Sequence, residues 1–306
     1  MNFGILGFGN IARTELYPAF LESNQPVVAI ASQRLEAPHG FDGRLYGNYD
    51  ELLKDDSVEA IYIATPNSLH VEQSIACMRA GKHVLCEKPL ALEPNQVDLV
   101  RQVARETGKK FLEAFMVPYH PQWQWARTNI SADQQLKLGV TFSYDNRKDA
   151  GNIRNKPETG GGALLDIGCY ALWVADWLGA RHGEVQNVWR KVENGVDVET
   201  IATIQYGPDV TMTFEVSMRR PRYQEVRIQT ASEAFFVERP FNPKSSTAIQ
   251  EVSPDGVRSG VSYDGNQYAN MIEFFVGMTN SQMGESLDRS ERIARLSHAI
   301  SNFTGL

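Results

Sequence analysis

The first twelve residues, MNFGILGFGNIA, constrain the fold more than any other part of this chain. The apolar run over residues 2–6 predicts a strand that begins at once, and residues 7–12 follow it with the pattern G-x-G-x-x-A. The first glycine permits a tight turn, and the second lets a ligand approach the backbone at the start of a helix. Free N–H groups and the helix dipole at that point favour an anion such as a pyrophosphate. The pattern therefore predicts a dinucleotide site with contacts from Gly7, Phe8, Gly9, Asn10, Ile11 and Ala12.

Short apolar runs alternate with helical patterns through the first third of the chain. Further strands are expected over residues 27–31, 59–65, 83–87 and 110–115, and helical spacing covers 68–81 and 95–108. Strands that lack a clean polar alternation and are separated by helices indicate a parallel sheet covered on both faces. We therefore predict an α/β chain whose residues 1–118 form a Rossmann dinucleotide-binding domain.

The pattern changes after about residue 118. A long apolar helix is expected over residues 162–178, and a last helical stretch covers 266–278. Between them, segments of period-two alternation are separated by short turns rich in Gly and Pro, which indicates an antiparallel sheet with one face exposed or paired with a partner. We predict that residues 119–306 form an α+β domain for substrate binding and oligomerisation, built on a large, mostly antiparallel open sheet. A homodimer or higher homo-oligomer through that sheet is the expected assembly.

Charge and composition argue against several classes of protein. The net charge of −7 argues against nucleic-acid binding, which requires a basic surface. No run of about eighteen or more apolar residues predicts a membrane span, and no basic region precedes the first apolar run as it would in a signal peptide. Cys77, Cys86 and Cys169 are odd in number and lack metal-ligand spacing. We expect a cytoplasmic protein with no metal site.

The end of the second predicted strand bears on the choice of dinucleotide. An NAD enzyme usually has an acid there, about 20 residues past the glycines, which binds the ribose hydroxyls. This chain instead reads Ala31-Ser32-Gln33-Arg34, with no acid before Glu36. A hydroxyl and a guanidinium suit a 2′-phosphate better, so Ser32 and Arg34 favour NADP and leave NAD as the alternative. An arginine in a solvated turn is the structural alternative.

Two neighbouring strand ends carry polar residues at the same edge of the predicted sheet, where open parallel sheets bind their ligands. Pro89 fixes its own φ and restricts Lys88 to extended geometry, so we predict that Lys88 points into the nicotinamide region. A surface ion pair is the alternative for Lys88, and a solvent-exposed position on a helix is the alternative for His70. The predicted cofactor contacts at this edge are Thr65, Pro66, Asn67, His70, Glu87 and Lys88.

The helix expected over residues 162–178 is apolar all round apart from Asp166 and Tyr170. These two residues are four apart and share a face, and a buried acid is costly unless it is paired. Three glycines at 160–162 permit close approach by another backbone or by a ligand. A site that includes both residues is the favoured interpretation, and a structural Asp with a core Tyr is the alternative.

Four segments together resemble the glucose–fructose oxidoreductase/inositol dehydrogenase (Gfo/Idh/MocA) family. They are GFGNIA at 7–12, ATPNSLH at 64–70, EKPLAL at 87–92 and GGGALLDIGCY at 160–170. Tyr170 in the last segment is similar to the branch with dimeric dihydrodiol dehydrogenase and NADP-dependent D-xylose dehydrogenase, as is the segment 113–123. The chain departs from that branch at Pro118 and Gln33, where arginines are expected, and Arg34 is expected to replace the latter.

The resemblance implies hydride transfer between nicotinamide and a sugar or diol carbon. Tyr170 would transfer the hydroxyl proton, Lys88 would polarise the developing oxyanion, and Asp166 would orient the sugar hydroxyls or Lys88. His120 and Arg154 are weaker candidates for substrate contact. An NADP-dependent aldose or diol dehydrogenase is the leading hypothesis, with a keto-sugar reductase as the second. A cofactor-binding regulator without catalysis is the rival from another class.

Overall fold

The computed structural model describes residues 1–35, 37–130, 132, 135–149, 151–243, 246–253 and 256–304, without the side chains of 253 and 257–261. Glu36 lies outside the described residues. Backbone contacts divide the chain into two compact units, Met1–Met116 with Asn266–Glu291 and Val117–Gly265 with Arg292–Leu306. The first unit thus includes residues 266–291. The single domain boundary expected after residue 118 would assign these residues to the second domain.

The first unit contains a six-stranded parallel sheet. Its elements up to residue 116 are β1 (Phe3–Leu6), α1 (Tyr17–Glu22), β2 (Val27–Ala31), β3 (Arg44–Tyr46), α2 (Tyr49–Leu53), β4 (Ala60–Ile63), α3 (His70–Arg79), β5 (His83–Cys86), α4 (Pro94–Thr107) and β6 (Phe111–Glu113). The strand order is β3-β2-β1-β4-β5-β6, and neighbouring strands are parallel. The direction of winding reverses beside β1, which is where open α/β sheets bind ligands.

Local chemistry sets the ends of α4. Glu93 and Gln96 form a capping box, and Pro94 occupies the first turn, where its missing N–H is no loss. Gly108 ends the helix with a φ of 66°, in the left-handed region. The helix therefore begins and ends where its sequence places a cap and a glycine.

The second unit contains an eight-stranded sheet. Its elements up to residue 265 are α5 (Pro121–Asn129), β7 (Leu136–Asp145), α6 (Cys169–Trp177), β8 (Gly183–Glu193), β9 (Val196–Tyr206), β10 (Val210–Ser217), β11 (Arg219–Gln229), β12 (Ala234–Glu238), β13 (Thr247–Ser253) and β14 (Gly256–Tyr263). The strand order is β14-β13-β12-β11-β7-β10-β9-β8. Every neighbouring pair is antiparallel except β7 and β10. The predicted mostly antiparallel sheet and the parallel sheet of the first unit are both confirmed.

Two helices close the chain, α7 (Gln267–Gly277) and α8 (Asn280–Ser301). The sequence patterns did not predict α8, the short elements β3 and α2, or the long strand β7. None of the helices in the described part of the chain is long and apolar enough to cross a membrane.

An ion pair links α6 to the last turns of α8 inside the second unit. Arg292 donates through Nε and Nη2 to the two carboxylate oxygens of Asp176, and the second contact is 3.1 Å long. Asp176 is buried, whereas Arg292 is partly exposed. Because a buried carboxylate is costly without its cation, this pair fixes the end of the chain on the helix that carries Tyr170.

We expect Arg292→Met to destabilise the second unit by on the order of 3 kcal/mol, because Asp176 loses two charge-assisted hydrogen bonds. Urea unfolding followed by tryptophan fluorescence measures this, since all five tryptophans lie in the second unit. The control is Arg147→Met, which removes an exposed pair with Asp145 and should shift the midpoint little. Equal midpoints for the two variants would contradict the prediction.

Candidate functional site

The turn after β1 and the end of β2 enclose a pocket of about 460 Å³ within the first unit. Its lining residues are Gly7, Phe8, Gly9, Asn10, Arg13, Ser32, Gln33, Arg34 and Tyr49. Six of these are predicted cofactor contacts. The other two of the first motif, Ile11 and Ala12, do not line the pocket, and Ala12 is buried in the π-helical turn Ala12–Leu16.

The two glycines of the turn have different environments. Gly7 has a φ of +90°, and a Cβ there would lie 2.7 Å from the carbonyl oxygen of Ala64. Gly9 has no atom within 4 Å of its Cβ position. The first glycine thus lets the turn pack against the end of β4, and the second leaves open space at the pocket wall, as close approach of a pyrophosphate requires.

The side chains of the pocket suit an anion. Arg13 and Arg34 both line it, and the guanidinium of Arg13 lies 5.5 Å from the ring centroid of Phe8. The buried hydroxyl of Ser32 has no hydrogen-bond partner among the described atoms. Two guanidiniums beside an unsatisfied hydroxyl fit a phosphate group. Sequence reasoning missed Arg13, although its place in the first helical turn, three residues after Asn10, was a usable signal.

His70 is buried, so the alternative of a solvent-exposed position on a helix is wrong. Its Nδ1 lies 2.8 Å from the carbonyl oxygen of Pro89, and its Nε2 lies 2.9 Å from that of Thr65. Burial lowers the pKa of the imidazole. His70 therefore connects the chain segments after β4 and β5, and a direct cofactor contact from it stays a prediction.

Residues 87–91, which we call the Lys88 loop, follow β5. The hydroxyl of Tyr62 donates to Glu87 Oε1 over 2.6 Å, and the backbone N–H of Leu90 donates to Glu113 Oε1 over 2.8 Å. The Lys88–Pro89 peptide is cis. With the contact from His70, three buried side chains from different elements hold the loop that carries Lys88.

Asp166 is the centre of a polar cluster in the second unit. It lies in the π-helical turn Leu164–Gly168 before α6 and is 6% exposed. Tyr144 donates to its Oδ2 over 2.6 Å, and Arg154 Nε lies 2.8 Å from its Oδ1. The charge of Asp166 raises the pKa of Arg154, and burial raises that of Tyr144. The sequence singled out Asp166 and Arg154 separately, and it missed Tyr144 because β7 was not recognised.

Tyr170 lies on α6 in an aromatic environment. Its ring centroid is 5.1 Å from that of Phe241 and 5.6 Å from that of Phe142. Ionised Tyr170 would also raise the pKa of Arg154, so the phenol lies within the electrostatic range of that guanidinium. The structure thus brings Asp166, Arg154 and Tyr170 into one cluster.

The glycines before this helix make room for backbone. A Cβ on Gly161 would lie 2.5 Å from the carbonyl oxygen of Arg154, and its N–H donates to Lys156 O over 3.0 Å. Of the two possibilities raised by the sequence, approach by another backbone is therefore observed. The close approach places the segment of Arg154 beside the start of the helix.

His120 has a structural role at the start of α5. Its Nδ1 accepts a hydrogen bond from the Gln122 N–H over 3.3 Å and so caps the helix. Burial lowers the pKa of the imidazole to about 4, and Asp264 opposes that shift. Its buried Nε2 has no partner among the described atoms, so a substrate contact from His120 stays a prediction.

Comparison with known proteins follows the same division of the chain. A family model described as oxidoreductase family, NAD-binding Rossmann fold, matches residues 1–115, and one described as GFO/IDH/MocA C-terminal domain matches residues 136–233. D-xylose 1-dehydrogenase (NADP(+)) 2 of Haloferax volcanii is 30% identical over 304 residues, covering 96% of this chain and 94% of the relative. Trans-1,2-dihydrobenzene-1,2-diol dehydrogenase of Sus scrofa is 29% identical over 71% of this chain and 68% of the relative.

The fold is also found in solved structures. KijD10, a 3-ketoreductase from Actinomadura kijaniata in complex with NADP and TDP-benzene, superposes with a TM-score of 0.90 at 28% identity, covering 98% of this chain and 97% of that one. Three findings agree with one another: the two domain matches, the similarity of the whole chain to the xylose dehydrogenase, and this superposition. The chain belongs to the GFO/IDH/MocA family of oxidoreductases.

Proposed function

We propose that the protein is an NADP-dependent dehydrogenase that oxidises a hydroxyl of an aldose or a diol. The observation that carries the proposal is the anion-binding pocket after β1, with Arg13, Arg34 and the unsatisfied hydroxyl of Ser32. The names of its relatives, a xylose dehydrogenase and a dihydrodiol dehydrogenase, support the substrate class. The same site run in reverse as a keto-sugar reductase is the second candidate, favoured by the relative that acts as a 3-ketoreductase.

The test is a panel of aldoses, inositols, trans-diols and keto-sugars offered with NADP or NADPH and with NAD or NADH. Absorbance at the reduced-nicotinamide band reports turnover in either direction. Oxidation of an aldose or diol supports the first candidate, and reduction of a keto-sugar alone supports the second. Tight cofactor binding without turnover on any member would instead support a regulator.

The preference for NADP rests on the end of β2. Arg34 follows directly after Gln33, and both line the pocket beside Ser32. A guanidinium binds a phosphate through two parallel hydrogen bonds, and a hydroxyl can donate a third. No acid lines this pocket among the described residues, so the group that usually holds the free ribose hydroxyls of NAD is not found there.

We expect Arg34→Ala to weaken NADP binding by about 1.5–3 kcal/mol, the cost of a lost charge-assisted contact, and to change NAD binding little. Arg13→Ala should act in the same direction. Isothermal titration with each cofactor measures both effects, and Arg79→Ala, an exposed arginine at the end of α3, is the control. Equal affinity of the wild type for NADP and NAD would refute the preference.

The catalytic roles are proposals built on the Lys88 loop and on the polar cluster around Asp166. Bound NADP supplies the hydride acceptor. Tyr170 would take the substrate hydroxyl proton, and the ammonium of Lys88 would stabilise the phenolate and the substrate oxyanion. The described contacts of Asp166 support a role in fixing Arg154, in addition to the predicted orientation of sugar hydroxyls or Lys88.

We expect Tyr170→Phe to lower kcat by roughly 10²–10⁴-fold, because it removes the acid–base hydroxyl and keeps the ring. Lys88→Met should cost a similar factor, and the double variant should be scarcely worse than either single one if the two residues act as a unit. Steady-state kinetics measures the three variants, with exposed Lys54→Met as the control. Full activity in Tyr170→Phe would show that the tyrosine only packs in the core. Additive losses would show that Tyr170 and Lys88 act separately.

We also propose a homodimer through the outer face of the large sheet. Trp189, Ile201, Glu215, Thr141 and Glu225 form one cross-strand row on this face. The face is mainly polar where it is described, but it carries half-exposed aromatic side chains, Trp189 at 51% and Tyr223 at 50%. Aromatic residues are enriched in the buried cores of protein interfaces, so two exposed ones on this face favour a partner there.

Light scattering at micromolar concentration should give about twice 34.3 kDa for the wild type. Trp189→Glu should shift the mass toward the monomer, because a charge replaces an aromatic contact at the proposed interface. Leu21→Glu, on α1 of the first unit, is the matched control and should leave the mass unchanged. A monomeric wild type would remove the proposal.

A cytoplasmic location completes the proposal. The three cysteines are buried and free, and burial raises the pKa of the Cys77 thiol to about 12. Thiols kept as small apolar core residues suit a reducing compartment.

A further inference from the structure

Glu113 is a buried acid that the proposed reaction does not use. It ends β6 and is 7% exposed. Its Oε1 accepts a hydrogen bond from the N–H of Leu90 over 2.8 Å, and its Oε2 accepts one from the hydroxyl of Ser290 on α8. Both oxygens can therefore act as acceptors, as those of an ionised carboxylate do. A buried carboxylate is costly unless a positive charge lies near it.

The hydrogen bond from Leu90 ties Glu113 to the Lys88 loop. Leu90 is two residues past Lys88, and the peptide between them is held from another side by the contact of His70 with Pro89 O. The Ala114 N–H also donates to Cys86 O, which keeps the end of β6 beside the start of the loop. The backbone on which Lys88 stands is therefore fixed by an acidic side chain.

The positively charged side chains near Glu113 favour its ionised form. Burial raises its pKa, whereas the hydrogen bonds from Ser290 and Leu90 and the positive charges of Lys88 and Arg289 lower it. On the loop side, Cys86 is a further titratable neighbour of Glu113, and Glu87 also lies near that thiol. Burial raises the pKa of the Cys86 thiol and so favours its neutral form. Two cations, Lys88 and Arg289, are thus the candidate partners of this carboxylate.

We propose that Glu113 is the positioning residue of Lys88, a buried counter-ion that keeps the ammonium charged and fixes the loop that carries it. Glu113 acts through Lys88 and not on the substrate. The consequence for catalysis rests on the proposed function, in which the ammonium of Lys88 stabilises the oxyanion and the phenolate. The electrostatic link between the two residues does not depend on that function.

The test is Glu113→Gln in the full chain, with the titration of Lys88 as the readout. Glutamine keeps the length, still accepts from the Leu90 N–H, and its amide can donate to Ser290, so mainly the charge is removed. Protein labelled with [ε-¹³C]lysine is titrated by NMR, and the Lys88 signal is identified by its absence in Lys88→Met. We expect the Lys88 midpoint to fall by about one pH unit, because an opposite charge favours the ionised form.

The matched control is Glu59→Gln, which removes an exposed carboxylate at the opposite end of β4 and should leave the Lys88 midpoint unchanged. A second measurement, which serves even if Glu113→Gln does not fold, is the NMR titration of the Glu113 carboxyl in the wild type and in Lys88→Met. Loss of the ammonium should raise the pKa of Glu113, because the charge of Lys88 lowers it.

A folded Glu113→Gln protein with an unchanged Lys88 midpoint overturns the proposal and assigns the carboxylate to Arg289 alone. If Glu113→Gln does not fold, an unchanged Glu113 pKa in Lys88→Met has the same meaning. Kinetics separates this outcome from failure of the proposed function. A shifted midpoint with full activity in Lys88→Met would keep the link between Glu113 and Lys88 and reject the catalytic role of Lys88. A shifted midpoint with a kcat loss in Glu113→Gln at unchanged KM for NADP supports both.

Discussion

The pocket proposed for the dinucleotide depends on the close packing of the turn after β1 against the end of β4. A side chain at Gly7 would collide with the carbonyl oxygen of Ala64, so only glycine lets these two backbones approach at a φ of +90°. Because β1 lies in the middle of the sheet and the winding reverses beside it, the ends of β1, β2 and β4 lie at one edge. The arginines and the serine of the pocket belong to two of these ends, and neither end alone would form an anion site.

Buried polar side chains form a second layer behind the residues proposed to act on ligands. His70 and Glu113 contact the backbone of the Lys88 loop, and Asp166 contacts Arg154 and Tyr144. Each contact satisfies a group that would be costly to bury alone. The precision of a functional side chain comes from such neighbours, since a half-buried lysine on an unsupported loop would sample many positions.

The sequence predicted regular elements well wherever apolar periodicity was sufficient. It placed β2 at residues 27–31, and it predicted both kinds of sheet. It missed β7, which lies in the middle of the large sheet and pairs in parallel with β10 across a long connection. A parallel pairing between distant strands leaves no local signal. Tyr144 was missed with this strand, although Leu136–Asp145 does alternate buried and exposed residues over most of its length.

The sequence predicted only part of the candidate site, because here too some contacts join segments that are distant in the chain. Motif spacing identified most of the pocket residues, because the turn after β1 is local in sequence. The pairing of Asp166 with Arg154 depends on Gly161, which lets the segment of Arg154 approach the helix start. The tie between Glu113 and the Lys88 loop depends on the pairing of β5 with β6. Contacts of this kind are set by tertiary packing, and one sequence shows the residue types without their partners.

The observed ion pair of Arg154 with Asp166 and the proposed pair of Lys88 with Glu113 differ in what they leave available for chemistry. Arg154 has five N–H donors and a pKa too high for proton transfer, so beside Asp166 it can orient a neighbour and stabilise charge but cannot release a proton. An ammonium has three donors, and a counter-ion on one side keeps it ionised while the remaining donors stay available. A carboxylate beside Lys88 therefore does not prevent the ammonium from stabilising an oxyanion. Part of that stabilisation comes from directional hydrogen bonds, which are strong in a site of low dielectric constant.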